Sequence, residues 1–313
     1  MTNTKSKLNM TTNIKKVLII GLGGIGSVFA THITDNNTAE LKILIDETRW
    51  KKYTSQPTNF NGKDYNFNYI LPDNTEFKAD LVIIATKNNG LSDAIKNIKN
   101  FVNENTIIIS LLNGIHSEEE IAKVYKKSNI LYSFYIGCSC IRKERNITQN
   151  GSYNIVIGSK DNNQDILVKK LDDFLTKSDI KHYVSDNILD EYWKKFFINV
   201  GINQLSAVTD KTLKEIKQEP LLTERMKKLM KEAELVAEKE GIKNHLELYT
   251  SAVNYLLYEQ EDSTPSMLQD VRNKKPTEVD IFAGQVIKLA KKHNIDVPEN
   301  KKVYEHIKNL NLN

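Results

Sequence analysis

The chain has 313 residues, enough for about two domains with buried cores rather than a small stapled scaffold. Apolar residues make up 40% and charged residues 27%, the balance of a globular protein, which sets aside disordered and fibrous classes. The net charge is only +4 and the excess lysines alternate with glutamates, as in ERMKKLMKEAELVAEKEG (224–241), the pattern of solvated helix faces and not of a nucleic-acid-binding patch.

Residues 1–13, MTNTKSKLNMTTN, are polar and aperiodic and read as a disordered lead, with Met10 as an alternative start. They lack the apolar run of a signal peptide, and no later segment holds the roughly 18 apolar residues of a membrane span, so a cytoplasmic protein without membrane partners is expected. From Lys15 the chain alternates β-branched runs with helical stretches: KVLII (16–20), LKILID (41–46), DLVIIAT (80–86), TIIISLL (106–112) and ILYSFYIG (130–137). Nearly continuous apolar strands separated by helices predict an α/β domain, a Rossmann-type doubly wound parallel sheet over 14–187.

Directly after the first strand stands GLGGIG, with Gly21, Gly23 and Gly26 in GxGxxG spacing at the start of a helical pattern. The chemistry needs that context: a tight turn, close backbone approach of a pyrophosphate, and a helix N-terminus whose free N–H groups bind anions. Gly24 and Ile25 complete the candidate cofactor-binding loop. The second strand ends in Asp46, 20 residues after Gly26, where a carboxylate accepts from the ribose hydroxyls of NAD(H), while Arg49 is placed to pair with the 2′-phosphate of NADP(H). Lys87 and Asn113-Gly114 follow successive strands of the same sheet, at the carboxyl ends where such folds keep ligands, although strand-end lysines and Asn-Gly turns are also ordinary surface punctuation.

The two cysteines, Cys138 and Cys140 in YIGCSC, are too few for a zinc site and too close for an easy disulfide, so both read as reduced packing residues and no metal is expected. In NITQNGSYNIVIGS (146–159) the Asn150-Gly151 pair predicts a hairpin turn. From 188 to the end the rhythm is helical, over 190–209, 220–240, 245–260, 277–293 and 299–309, which makes 188–313 an all-α domain.

Within it, YWKKFFINVGINQLSA (192–207) buries Trp193, Phe196, Phe197, Val200 and Leu205 at helical spacing, yet Lys195, Asn199 and Asn203 follow one another four residues apart on one side. Lysine snorkelling and backbone-bonded asparagines would explain this stripe structurally; a substrate-facing edge would explain it functionally. Further on, Ser266 with Gln269 and Thr277 with Asp280 fit capping boxes, which puts Glu278 in the first turn of a helix.

The combination of GLGGIG (21–26), ATK (85–87), LLNG (111–114), WKKFFINVGINQLSA (193–207) and PSMLQDVRNKKPTEVDIFAG (265–284) resembles the ketopantoate reductases, the 2-dehydropantoate 2-reductases, over almost the whole chain from Ile14 to His293. The resemblance implies a Rossmann-type domain followed by a helical domain like the C-terminal part of 6-phosphogluconate dehydrogenase. It implies NADP(H)-dependent reduction of ketopantoate to pantoate for pantothenate and coenzyme A. Lys195 then matches the catalytic acid/base and Asn113, Asn199, Asn203 and Ser266 match substrate-binding residues, while Lys87 and Glu278 line the cofactor and substrate cleft, Glu278 being counted with Lys195 as catalytic. Two departures stand out: Asp46 occupies the strand end where members that prefer NADPH commonly have arginine, which leaves NAD(H) open, and Gln204 stands where many members have proline. The expected partner is a small 2-keto acid, and a homodimer is left open. The rival readings are a reductase of another branched 2-keto acid, and a nucleotide-binding redox sensor without turnover, which Lys195 and its asparagines argue against.

Overall fold

A computed structural model of the chain describes residues 13–160, 165–258 and 264–310. Of the expected disordered lead, residues 1–12 lie outside the described residues, as does the end of the expected helix at 259–260. The chain divides into two compact units: Met1–Leu112 with Glu118–Asp186, and Asn113–Ser117 with Asn187–Asn313.

In the first unit the described elements run β1 (Lys16–Ile20), α1 (Gly24–Asp35), β2 (Glu40–Leu44), α2 (Glu47–Thr54), β3 (Thr58–Phe60), β4 (Lys63–Tyr65) and β5 (Tyr69–Ile70). Then follow β6 (Leu81–Ile84), α3 (Leu91–Asn97), β7 (Ile107–Ser110), α4 (Ser117–Ala122), β8 (Ile130–Lys143), β9 (Asn146–Gly158), α5 (Asp165–Lys177) and β10 (His182–Val184). They form one sheet in the order β4-β3-β9-β8-β7-β6-β1-β2-β5, with β10 added alongside β9. Strands β5, β2, β1, β6, β7 and β8 pair in parallel, whereas β8 and β9 are antiparallel, so the sheet is mixed. The parallel part reverses direction of growth between β1 and β6, the switch point beside which open α/β sheets bind ligands.

The continuous apolar runs follow from burial on both faces. Along β1, Val17 and Ile19 pack with Phe29 of α1 and Leu171 of α5, while Leu18 and Ile20 pack with Leu91 of α3 and Phe101. Period-2 alternation therefore supplies two cores at once.

Asn150-Gly151 does not make the hairpin turn. The β8–β9 connection lies at Glu144 and Arg145, with Glu144 at φ 54°, and Gly151 sits inside β9 at φ 82°. Gly137 pairs with Tyr153 and Ser139 with Asn150, so one extra residue is accommodated on β9 at Gly151. The positive φ that suits Asn-Gly to tight turns is used here by a β-bulge.

The second unit is built from α6 (Ile188–Ile198), α7 (Gln204–Thr209), α8 (Leu213–Gln218), α9 (Pro220–Lys239), α10 (His245–Tyr258), α11 (Ser266–Arg272), α12 (Ala283–Lys292) and α13 (Pro298–Asn309). Helix α9 is its spine: Met226, Leu229, Met230, Ala233, Val236 and Ala237 are all fully buried. Trp193 meets Phe196 edge-on at 5.6 Å, and Phe196 in turn lies 6.4 Å from Phe282. Glu232, also buried on α9, accepts from the backbone N–H groups of Glu299 at 2.8 Å and Asn300 at 2.9 Å. It thereby caps the N-terminus of α13, where the helix dipole favours a carboxylate.

Phe197 has no exposed surface, and its truncation leaves a cavity between α6 and its neighbours. Phe197→Ala is expected to lower stability by about 3–5 kcal/mol in denaturant titrations. A loss under about 1 kcal/mol would mean that the α6 face is assigned wrongly.

Candidate active site

The residues singled out in the helical half come together within the second unit, to which Asn113 also belongs. Lys195 Nζ donates to Asn113 Oδ1 at 3.3 Å, and Asn113 Nδ2 donates to Glu278 Oε2 at 3.0 Å. Burial pulls the Lys195 ammonium down to about 8, against the opposing pull of the Glu278 carboxylate. A second hydrogen-bonded chain runs beside it in sequence: Ser266 Oγ donates to Asn203 Oδ1 at 3.3 Å, and Asn203 Nδ2 donates to Asn199 Oδ1 at 2.9 Å. An ammonium able to shed its proton near neutral pH and a set of amide and hydroxyl groups suit the binding and protonation of a small polar molecule.

The helix that carries the stripe is not uniform. Between α6 and α7 the backbone forms a π-helical turn over Asn199–Asn203, where the sequence predicts an unbroken helix over 190–209. At i+4 an α-helix overshoots a full turn, whereas a π turn, closed by i→i+5 bonds, falls short of one. The step from Lys195 to Asn199 and the step from Asn199 to Asn203 therefore drift in opposite directions and keep the three side chains near one meridian. Asparagine and glycine, poor in α-helices, are less out of place in such a turn. Gly201 has a further reason, since a Cβ there would lie 2.7 Å from Met230 Cγ on α9.

Neither predicted capping box forms. Ser266 is the first residue of α11, preceded by Pro265 as N-cap without a side-chain capping bond, so its hydroxyl is spent on Asn203. No α-helix begins at Thr277: Glu278 precedes a 3-10 turn (Val279–Ile281), and α12 starts at Ala283. Glu278 is thus held at a bend, which lets its carboxylate meet Asn113.

In the first unit the glycine loop joins β1 to α1. Gly21 has φ 101°, and a Cβ on it would come within 2.5 Å of the Ala85 carbonyl carbon at the end of β6, so only glycine fits. Around Gly23 there is open space where a side chain would stand, and α1 begins there with no side-chain cap, leaving its first N–H groups for an outside acceptor. Thr86 Oγ1, at the end of β6, is buried without a hydrogen-bond partner. A glycine cradle, an uncapped helix start and an orphaned hydroxyl at the sheet's switch point fit a dinucleotide pyrophosphate. Ile25 packs against the core beside Gly24 and Gly26, and Lys87 is exposed just past β6.

Asp46 is the N-cap of α2: Oδ1 accepts from the Arg49 backbone N–H at 2.9 Å and from Thr48 Oγ1 at 2.5 Å. The Thr48 hydroxyl first, and Arg49 after it, hold the Asp46 carboxyl below the usual carboxylate range, so it is charged at neutral pH. Arg49 Nη1 lies 3.5 Å from Asp46 Oδ2.

Sequence reasoning passed over Arg142 of β8. Its guanidinium donates to the Leu22 carbonyl of the glycine loop at 2.6 Å, to Tyr53 Oη of α2 at 2.6 Å and to the Glu144 carbonyl at 2.8 Å. One side chain thus ties the loop to the helix that bears Asp46 and Arg49. The separation in sequence from Leu22 and Tyr53 hid it; a lone arginine on a strand gives no signal. Cys140 packs its side chain against Gly24.

Two family models match: ketopantoate reductase PanE/ApbA over residues 17–162 and ketopantoate reductase PanE/ApbA C terminal over residues 187–311. A 2-dehydropantoate 2-reductase of Pyrococcus abyssi is 26% identical over 291 residues, covering 91% of this chain and 94% of the relative. One from Streptococcus pyogenes is 25% identical over 308 residues, covering 95% and 99%. Among solved structures, D-mandelate dehydrogenase in complex with NADH superposes with a TM-score of 0.84 at 23% identity, covering 95% of this chain and all of that one, a likeness of fold.

Removing the Arg142 guanidinium leaves the Leu22 carbonyl and the Tyr53 hydroxyl without their partner. Arg142→Ala is expected to cost about 1–3 kcal/mol of stability. Hydrogen exchange should quicken selectively in residues 21–24 and 47–54, and unchanged exchange in both segments would show that the tie carries no load.

Proposed function

The chain belongs to the ketopantoate reductase family, and from that premise we propose that it reduces 2-dehydropantoate to pantoate with a nicotinamide dinucleotide. The curated relatives named for this activity, each covered over nearly its whole length, support the substrate. The observation that carries the reading is the Lys195–Asn113–Glu278 chain with its lysine near neutral pKa.

The reduced dinucleotide supplies a hydride. The glycine loop residues 21–26 and the N-terminus of α1 bind its pyrophosphate, with Asp46, Arg49, Lys87 and Asn113 as further contacts. Lys195 holds a proton on Nζ and stabilises the oxyanion that develops on the 2-carbonyl, then gives that proton to the oxygen. Asn113 fixes the direction of the Nζ–H bonds, and the Glu278 carboxylate keeps enough positive charge on Lys195 for it to be an acid at neutral pH. Asn199, Asn203 and Ser266 orient the substrate by directional hydrogen bonds. The charged Asp46 at the end of β2 supports use of NADH, and its ion pair with Arg49 occupies the residue that would otherwise serve a 2′-phosphate.

A second reading is favoured by one comparison: the fold of D-mandelate dehydrogenase, solved with NADH, matches closely, so another 2-keto acid is the competing substrate. A homodimer is part of the proposal because a structurally similar ketopantoate reductase from Staphylococcus aureus is described as dimeric.

Purified protein given ketopantoate should oxidise reduced nicotinamide, and faster than with phenylglyoxylate or 2-ketoisovalerate; a reversal of that order favours the second reading. NADH should be used measurably, with any preference for NADPH below about a thousandfold, or roughly 4 kcal/mol. A larger preference would mean that Arg49 leaves Asp46 for the phosphate. Lys195→Ala should cost about a hundredfold to ten-thousandfold in turnover, and Lys194→Ala, about 100° round the helix, almost nothing; equal losses in the two would sink the assignment.

The pH profile follows from the sign of the shift. Reduction needs protonated Lys195, so kcat/KM should be level below about 8 and fall tenfold per pH unit above it. Glu278→Gln keeps an acceptor for Asn113 but deletes the charge that raises the Lys195 pKa, so the falling limb should move to lower pH. A limb that stays in place or moves upward would remove Glu278 from the electrostatics of the site.

A further inference from the structure

The geometry points to Gln204 as a positioning residue for substrate: we infer that its side-chain amide holds the π turn in the conformation that presents Asn199 and Asn203, and locks that turn to the segment following Glu278. The inference rests on the reading of the two asparagines as substrate-binding and deepens it.

Gln204 has no exposed surface and is the first residue of α7, immediately after the π turn. Its own backbone N–H goes to the Gly201 carbonyl, not to the Val200 carbonyl that an α-helix would assign to it. The side chain reaches that carbonyl instead. Nε2 donates to the Val200 carbonyl at 2.8 Å, so the acceptor that an α-helix would give to the Gln204 backbone N–H is met by the side-chain amide of the same residue. The same Nε2 reaches Asn300 Oδ1 at 3.3 Å, and Oε1 accepts from the Ala283 backbone N–H at 2.7 Å.

Those contacts fix three things relative to one another. Val200 lies inside the π turn between Asn199 and Asn203. Ala283 opens α12, five residues after Glu278 across the 3-10 turn. Asn300 belongs to the first turn of α13 and is itself held by Glu232, to which it donates from both its backbone N–H and Nδ2, the latter at 2.8 Å. A turn of rare geometry is thus tied by one glutamine to two helix N-termini of the same unit. A buried amide with each of its polar atoms bonded is a rigid strut, because losing any partner leaves an unpaired polar group out of water. The Gln204 side chain hydrogen-bonds to Val200, Asn300 and Ala283 and not to Lys195 or to the amides of Asn199 and Asn203, and so acts through the backbone it holds.

The test is Gln204→Met, which keeps the length of the side chain and removes its hydrogen bonds, with Gln204→Leu as the second variant should the first fail to accumulate as folded protein. For the folded variant, KM for the 2-keto acid is expected to rise about tenfold or more, with the dissociation constant of the dinucleotide, read by fluorescence titration without substrate, unchanged within twofold. Hydrogen exchange should quicken in residues 200–206 ahead of the rest of α6 and α9. A purely structural glutamine would lower the melting temperature and leave KM where it was, and that result overturns the inference. So does a dinucleotide affinity that weakens as much as KM rises. Asn199→Ala and Asn203→Ala, measured alongside, separate the two levels: if they raise KM and the Gln204 variant does not, the inference fails and the substrate role of the asparagines stands. If they leave KM unmoved, the substrate role itself has failed and takes the inference with it.

Discussion

Keeping a lysine ammonium mostly out of water is the constraint around which the helical unit is arranged. An unpaired buried cation sheds its proton rather than stay charged, and a cation locked against a carboxylate would not shed it at all. Lys195 sits between these limits, pulled to about 8 by burial while Glu278 resists. Asn113 stands between the two in the hydrogen-bond chain, so that the amide fixes direction and the carboxylate adjusts charge. The state is costly: a shift from the ordinary value of 10.5 to about 8 corresponds to roughly 3 kcal/mol against folding at neutral pH. The sign is that of a depressed base. The cost is present in full below about 8 and fades as the pH rises through that value towards the unfolded one.

The rest of the unit supplies what such a site needs, a backbone that does not yield. Burial of Trp193, Phe196 and Phe197 on α6, and of the methionine and alanine face of α9, holds the helices. Polar ties then set details that apolar packing leaves free. Glu232 caps α13 from α9, and Asn300 bonds back to Glu232 and to the Leu229 carbonyl at 3.1 Å. Gln204 extends that buried network to the π turn. Packing is non-directional, whereas these bonds specify angles, which amides need if they are to recognise any ligand by direction.

In the nucleotide-binding unit the same division recurs. Alternating residues of β1 fill two cores and fix where the strand ends. Close approach of Gly21 to Ala85 then fixes the turn, and Arg142 reaches in from β8 to hold the Leu22 carbonyl and Tyr53. The charged residues there are already engaged with each other: Asp46 caps α2 and pairs with Arg49. Cofactor choice therefore depends on whether a ribose hydroxyl or a 2′-phosphate competes better for groups that the fold has already joined.

Much was legible in the chain itself, for a local reason. The β-branched runs, the glycine spacing after KVLII and the helical periodicity after 188 are consequences of neighbours along the chain, and each corresponds to an element in the structure. The stripe of Lys195, Asn199 and Asn203 also showed in the spacing, because residues on one helix share a face. What required the tertiary structure were the features in which distant segments compete for one atom. Asn150-Gly151 offered a turn, but cross-strand pairing made it a bulge. Ser266 and Thr277 offered caps, but the Ser266 hydroxyl went to Asn203 and the backbone after Thr277 bent so that Glu278 could meet Asn113. Arg142 gave no local signal, the π turn only asparagines and a glycine poor in helices, and Gln204 only a departure from the commoner proline, since each bonds to partners fixed by packing of helices or strands far apart in sequence. Local propensity decides which elements form; the geometry of shared hydrogen-bond acceptors, set only once those elements pack, decides what their side chains do.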